Sequence, residues 1–340
     1  MRFRIILIAL GLLPAVSMAQ QPTQGLRPEL ALPLACEAHK TCFIQNYVDD
    51  DPGPAARDFA CGASAYDGHK GTDFRLLSAD VAKSGVAVLA SAAGTVKATR
   101  DGVPDVFIRD GKPEDTKGKE CGNGVVIDHG GGWETQYCHM KSGSLAVTKG
   151  QAVKQGDKLG AVGYSGQADF AHVHLSVRHN DKVIDPFAPD LQEGACQRDN
   201  KAAGMWQPAV AAAFPYRSGE IIGAGFAADL PKLADLERDH GHIALPGPEA
   251  PALLFYARLM NLSAGDRIRT VISGPGGTLV EQLSEPLDRH KAMSPSYTAV
   301  KRDQPRWTPG RYEGRVEIVR EGTVVAASTG TLDIPAEAKR

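Results

Sequence analysis

Short apolar runs separated by Gly-rich turns fill the chain from about residue 36 to residue 190. They include VAVLASAAGTVKAT, GVVIDHG, WETQYCHM and HVHLSVRH. In the last run Val173, Leu175 and Val177 alternate with polar residues, which is the period of a half-buried β-strand. The pattern predicts an all-β domain over residues 36–190.

A second group of strand-like runs continues to about residue 335. ALLFYARLM, RIRTVISGPGGTLVEQL and GRYEGRVEIVREGTVVAAST have strand composition, and Ser273–Gly277 and Arg320–Gly322 read as hairpin turns. We predict a smaller β-sandwich of immunoglobulin-like type over residues 214–335. It lacks a convergent set of His, Cys and Asp, so we interpret it as a spacer or a binding module for a protein partner.

The segments outside these regions carry loop and helix signals. Residues 20–35 are rich in Pro and Gln, and we expect them to be flexible. Residues 191–213, with the alanine-rich stretch Pro208–Ala213, are expected to form a linker or a short helix. His240 and His242 flank a glycine, and we interpret them as exposed loop residues.

The start of the chain has the pattern of a secretory signal peptide. Arg2 and Arg4 precede the apolar run Ile5–Leu13, and small residues lead up to a cleavage site after Ala19. The run is too short to span a bilayer, so residues 1–19 predict export without stable membrane insertion.

Composition excludes some classes of function. The formal net charge is −2, and no basic patch interleaved with aromatic residues suggests a nucleic-acid partner. The triple glycine at 130–132 is followed by Trp-Glu-Thr rather than by Lys-Ser/Thr, which favours a hairpin turn over a phosphate loop.

Four histidines and one carboxylate fall into three short extended segments. They are His69 and Asp73 in GHKGTDF, His139 in TQYCHM, and His172 with His174 in AHVHLSV. Catalytic zinc sites commonly use three ligands drawn from His and Asp or Glu, and keep a fourth position for water. Alternation along a strand places His172 and His174 on one face, about 7 Å apart. That spacing suits one ligand and one second group near the metal.

The same alternation makes a prediction for Thr135–Met140. It places Tyr137 and His139 on one face of the strand and Cys138 on the other. Cys138 as a metal ligand is therefore the less favoured alternative.

The six cysteines are expected to form disulfides. No Cys-x-x-Cys zinc pair occurs among them, and disulfides are the default in an oxidising compartment. The residues leave the pairing open, and our best arrangement joins Cys121 with Cys138 across the glycine turn, Cys36 with Cys42, and Cys61 with Cys196.

Four blocks between residues 66 and 187 resemble a known family. GHKGTDF, GNGVVIDHGGGWETQYCHM, VTKGQAVKQGDKLGAVGYSG and AHVHLSVRH are similar, in this order, to the lysostaphin/LytM-type zinc metalloendopeptidases of peptidoglycan. The resemblance implies an antiparallel sheet over a narrow groove and one zinc ion per chain. By motif, the ligands would be His69, Asp73 and His174. His139 and His172 would act in catalysis.

Several residues depart from the family pattern or fall outside the expected site. Met140 and Cys138 are atypical, Arg100–Lys119 looks like an insertion, and we interpret His129 as structural. Residues 36–66 precede the first ligand motif and could cover the groove.

The resemblance implies an exported, periplasmic zinc endopeptidase that hydrolyses amide bonds in peptidoglycan stem peptides or cross-links. One alternative is a non-hydrolytic envelope regulator that binds an amidase or divisome partner through the same groove. A purely structural metal is a second alternative, although such sites normally have four protein ligands. A D-alanyl-D-alanine carboxypeptidase would need a wider His-to-Asp spacing and a Glu-x-x-His element, which is not evident here.

Overall fold

The first part of the chain is built on an eight-stranded antiparallel sheet. The structure is a computed structural model that describes residues 26–111, 116–192, 194–197, 204–239 and 243–336. The strands run in the order β1-β2-β9-β6-β5-β4-β7, with β10 paired to β9. Their bounds are β1 Cys42–Asn46, β2 Thr72–Leu76, β4 Gly94–Arg100, β5 Asn123–Gly130, β6 Trp133–Met140, β7 Ala152–Val153, β9 His172–His179 and β10 Lys182–Ile184.

Two small elements complete this part. Strands β3 (Ala87–Leu89) and β8 (Lys158–Ala161) form a separate pair, and helix α1 spans Ala79–Lys83. The predicted hairpin between β5 and β6 is present, with its turn at Gly130–Gly132. In β9 the apolar residues at positions 173, 175 and 177 enter the core, as predicted.

The expectation of a flexible segment over residues 20–35 is wrong for its described part, which begins at residue 26. Leu30 and Leu34 are buried in the first core, and the Leu30 N–H donates to the carbonyl of Met205. Met205 and Trp206, within the expected linker, pack in the same core. The apolar residues of LALPLA account for this packing, because burying them in the core removes their apolar surface from water. The proposed signal peptide lies outside the described residues.

Three disulfides link the six cysteines. The pairs are Cys36–Cys42, Cys61–Cys196 and Cys121–Cys138, the arrangement expected from the sequence. The third pair staples the β5–β6 hairpin next to His139 and excludes Cys138 as a thiolate ligand.

The second part is a sandwich of two antiparallel sheets, as predicted. A three-stranded sheet in the order β11-β12-β15 packs on a four-stranded sheet in the order β14-β13-β16-β17, around one shared apolar core. Both predicted hairpin turns are present. The bounds are α2 Pro208–Ala213, β11 Glu220–Ala227, α3 Leu233–Arg238, β12 Ala252–Leu262, β13 Arg267–Gly274, β14 Gly277–Leu283, β15 Lys291–Lys301, β16 Gly310–Arg320 and β17 Thr323–Ile334.

Apolar contacts and hydrogen bonds join the two parts. Phe43 of β1 packs with Ile222 and Met260 of the sandwich, and the Asn261 amide donates to the carbonyl of Gln45 at 2.8 Å. The interface therefore covers one edge of the large sheet.

None of the helices within the described ranges has the length and apolar character that a membrane span requires. His240 and His242 lie outside the described residues.

Candidate metal centre and groove

The five residues selected from the sequence line one groove of about 790 Å³ on the large sheet. Antiparallel pairing of β2 with β9 sets Asp73 opposite His174. His69 lies just before β2, and His139 is at the end of β6, which flanks β9 on its other side. Three adjacent strands and one loop thus bring these side chains together.

His69, Asp73 and His174 converge on one point. Each offers one ligand atom, and the three atoms lie within 4.8 Å of one another. His69 Nε2 is 3.1 Å from His174 Nδ1 and 3.2 Å from Asp73 Oδ1, and His174 Nδ1 is 2.9 Å from the same oxygen. Ligand atoms at about 2.1 Å from zinc in a tetrahedron stand about 3.4 Å apart. The donor set therefore fits a tetrahedral metal with little movement.

The surroundings of the two imidazoles leave the converging nitrogens free to bind a metal. The Nδ1–H of His69 donates to the carbonyl of Tyr47 at 2.6 Å, which leaves Nε2 with its lone pair. His174 Nε2 lies 3.1 Å from the Ser176 hydroxyl. That hydroxyl donates to the carbonyl of Lys70, so it accepts from His174 and leaves Nδ1 free. Such outer contacts fix the tautomer of a metal-binding histidine.

Asp73 is held as a carboxylate with one oxygen available. The Asn46 amide donates to Oδ2 at 2.8 Å, and Oδ1 faces the two imidazoles. Burial alone would raise the pKa of Asp73, but His69, His172 and His174 hold it well below its usual range. The same carboxylate outweighs burial at His69 and raises the pKa of that imidazole.

His139 and His172 stand beside this cluster without joining it. Their Nδ1–H groups donate to the carbonyls of Ser165 and Phe170, both at 2.8 Å, and their rings are 4.5 Å apart between centroids. Each therefore keeps a basic Nε2. Burial lowers the pKa of both imidazoles, most strongly at His139, so both are neutral at pH 7.

The predicted alternation along β6 is wrong at its end. Tyr137 lies in the core, where its hydroxyl accepts from the Ser91 N–H, whereas Cys138 and His139 both line the groove. His139 has φ 60°, in the left-handed region, which breaks the strand alternation and turns its side chain to the same side as that of Cys138.

His129 is structural, as interpreted from the sequence. Its ring bonds to the Ala93 carbonyl and to the Thr135 hydroxyl, both at 2.8 Å, and it does not line the groove.

Several residues that line the groove were not predicted from the sequence. Asn46 is a polar residue inside the apolar run CFIQNYV, which was a usable signal. Tyr66 and Phe170 place rings against His69 and His172, with centroids 4.4 Å and 4.3 Å apart. These aromatic residues fall in loops, where no periodicity marks them. Within residues 36–66, β1 is a strand of the large sheet, and Asn46 and Tyr66 line the groove.

Comparisons with known proteins agree with this site. Peptidase family M23 matches residues 67–186. The peptidoglycan DD-endopeptidase ShyB of Vibrio cholerae is 34% identical over 99 residues, which cover 29% of this chain and 23% of that protein. The cell division protein DipM of Caulobacter vibrioides is 32% identical over 123 residues, which cover 36% of this chain and 17% of that protein. The chain thus spans about a fifth of the length of these relatives.

Solved structures also match this chain, among them an M23 catalytic domain. The catalytic domain of the prophage-encoded M23 protein EnpA from Enterococcus faecalis is 20% identical, with a TM-score of 0.31 over 49% of this chain and 97% of that domain. The matched family segment contains His69, Asp73, His139, His172 and His174. Residues 67–186 of this chain are therefore a domain of peptidase family M23.

Proposed function

We propose that the protein is an exported zinc endopeptidase that hydrolyses amide bonds in peptidoglycan stem peptides or cross-links. The observation that supports this most is the pair of neutral imidazoles, His139 and His172, with free Nε2 atoms beside a complete His-Asp-His donor set. A structural metal site would not need them, and a binding groove would not need their tautomers fixed.

Zinc held by His69, Asp73 and His174 would supply a Lewis acid for the scissile carbonyl and lower the pKa of a water molecule. His139 is neutral and its Nδ1–H is held by the Ser165 carbonyl, so we assign its free Nε2 to accept a proton from the attacking water. His172 Nε2 lies 3.6 Å from Asp73 Oδ1, and this carboxylate partly offsets the effect of burial, which still lowers the pKa of His172. We assign His172, once its Nε2 has taken up a proton, to donate a hydrogen bond from that Nε2–H to the developing oxyanion.

The relatives and the disulfides support the substrate and the compartment. The name of ShyB specifies a peptidoglycan DD-endopeptidase, and the groove residues His69, Asp73, His139, His172 and His174 lie in the segment that matches peptidase family M23. Three disulfides are typical of an exported chain. Periplasmic localisation follows if residues 1–19 direct export, which fractionation of cells expressing the full chain would test.

The test uses the zinc-loaded protein and intact sacculi. We expect about one zinc per chain, and a fall in cross-linked muropeptides that His139→Ala abolishes while it keeps the metal. His179→Ala is the matched control, since His179 lies on the same sheet but stacks on Trp133 outside the groove. A wild-type protein that carries zinc and leaves sacculi intact would contradict the proposal and favour a regulator that binds an amidase or divisome partner.

A further inference from the structure

A buried ion cluster joins the sandwich to the back of the groove. Glu237 of α3 accepts from Arg75 of β2 at 2.6 Å through Oε2, and from Arg258 of β12 at 2.9 Å through Oε1. Both guanidinium groups are 0% exposed. Burying two cations against one carboxylate carries a large desolvation cost, so stabilising the interface is a poor explanation for this cluster. We therefore ask what else Arg75 contacts.

Arg75 leads directly to the groove. It lies two residues after Asp73 on β2 and is the register partner of His172. Its guanidinium carbon is 4.9 Å from the ring centroid of Phe170, within the range of a cation–π contact. The Phe170 ring is stacked on His172 with an interplanar angle of 27°. One continuous series of contacts therefore runs from the sandwich to a groove imidazole.

The next residue of α3 reaches the same wall of the groove. Arg238 pairs with Asp110 at 2.5 Å, in the segment that resembles an insertion. There the Ile108 N–H donates to the carbonyl of Ala168, two residues before Phe170. This exposed pair contributes little energy by itself. It does place α3 behind the segments that contain Ile108 and Phe170, which both line the groove.

We propose that the sandwich positions the active site: Glu237, through Arg75 and Phe170, fixes the orientation of the His172 imidazole. The inference rests on the proposed function of His172. Arg75, Glu237 and Phe170 are positioning residues here, because they act on the reacting atoms through another side chain. The sandwich is then a structural part of the peptidase rather than a separate spacer.

The test compares kcat and KM on a soluble cross-linked muropeptide for four variants of the full zinc-loaded chain. Phe170→Leu and Glu237→Gln should each lower kcat by about 10-fold with little change in KM, since small misplacements of a catalytic group have effects of this order. Phe170→Tyr, which keeps the aromatic ring, should have the wild-type kcat. The double variant Phe170→Leu/Glu237→Gln should lose about as much kcat as one single variant, because the two residues act in series.

Phe226→Leu, in the sandwich core, is the control for lost stability without lost stacking. It should lower Tm and leave kcat unchanged. If Glu237→Gln does not fold, Arg75→Lys replaces it, since it keeps the charge and loses the planar stack. Wild-type kcat in Phe170→Leu, full additivity in the double variant, or an equal kcat loss in Phe226→Leu would overturn the inference. An inactive wild type would instead refute the proposed function.

Discussion

Backbone carbonyls decide which ring nitrogen is basic in three of the groove histidines. His69, His139 and His172 each direct Nδ1–H at a carbonyl, so each presents Nε2 to the groove. A carbonyl can only accept, and this leaves one tautomer for the neutral ring. The chemistry of the site is therefore set by residues, such as Tyr47 and Ser165, that contribute only their main chain.

The buried imidazole of His139 should make the zinc-free protein sensitive to acid. Its pKa lies well below 6.5 in the folded state, because burial and the neighbouring imidazoles disfavour its charge. Below about pH 6.5 the unfolded chain binds a proton that the folded chain does not, so the stability from this group is lost as the pH falls. The loss approaches about 1.4 kcal/mol per pH unit.

The measurement is urea unfolding of the chelated protein at about pH 7.5 and about pH 5.5, for wild type and for His139→Gln. Other groups titrate in the same window; burial raises the pKa of Asp50 to about 7, which acts in the opposite direction. Both proteins share those groups, so the difference between them reports on His139 together with its coupling to His172 and His174. We expect the variant to lose about 1 kcal/mol less on acidification. Equal losses would refute the assignment.

At the scale of elements, β2 and β9 can approach as they do because residue 71 is glycine. A Cβ there would lie 2.6 Å from His174 Nε2 and 2.6 Å from the carbonyl oxygen of Leu175. Gly71→Ala should therefore displace His174 and weaken zinc binding by about 10-fold or more, as changes around metal ligands commonly do.

Gly68→Ala is the matched control on the same loop. It has open space around the added carbon but φ +73°, so it costs about 1 kcal/mol of backbone strain and should keep the metal. Competition with a chromophoric chelator measures both affinities. If the two variants bind zinc equally, the close approach of β2 and β9 does not set the geometry of the site.

The side-chain orientations in strand β9 could be predicted from the sequence, whereas those at the end of β6 could not. Alternation in β9 assigned His172 and His174 to one face, because the apolar residues between them must be buried. In β6 the same rule failed at His139, whose left-handed backbone follows from tertiary contacts: its N–H donates to the carbonyl of Cys121 and its ring to that of Ser165. Local periodicity carries no information about such contacts.

At the scale of the whole molecule, the connection between the two parts was also invisible in the sequence. Arg75, Glu237 and Arg258 come from three distant segments, and charged residues are usually exposed. Only the fold shows that both arginines are buried against one carboxylate. The Arg258 guanidinium also donates to the carbonyl of Leu77 at 2.8 Å. The interface therefore resembles a continuous core more than a hinge.

Such an interface should make the chain unfold as one unit. Trp133 and Trp206 report on the first core and Trp307 on the sandwich, so variants that keep only one reporter set separate the two signals. We expect coincident urea transitions in the otherwise native protein, which is the test for two-state behaviour.

Arg258→Met should separate the two unfolding transitions, because breaking one partner of a buried pair costs about 3–5 kcal/mol. Arg269→Met removes a more exposed pair with Glu317, worth at most about 1 kcal/mol, and should leave the transitions coincident. Two separate transitions in the wild type would mean that the buried ion cluster does not couple the sandwich to the M23 domain.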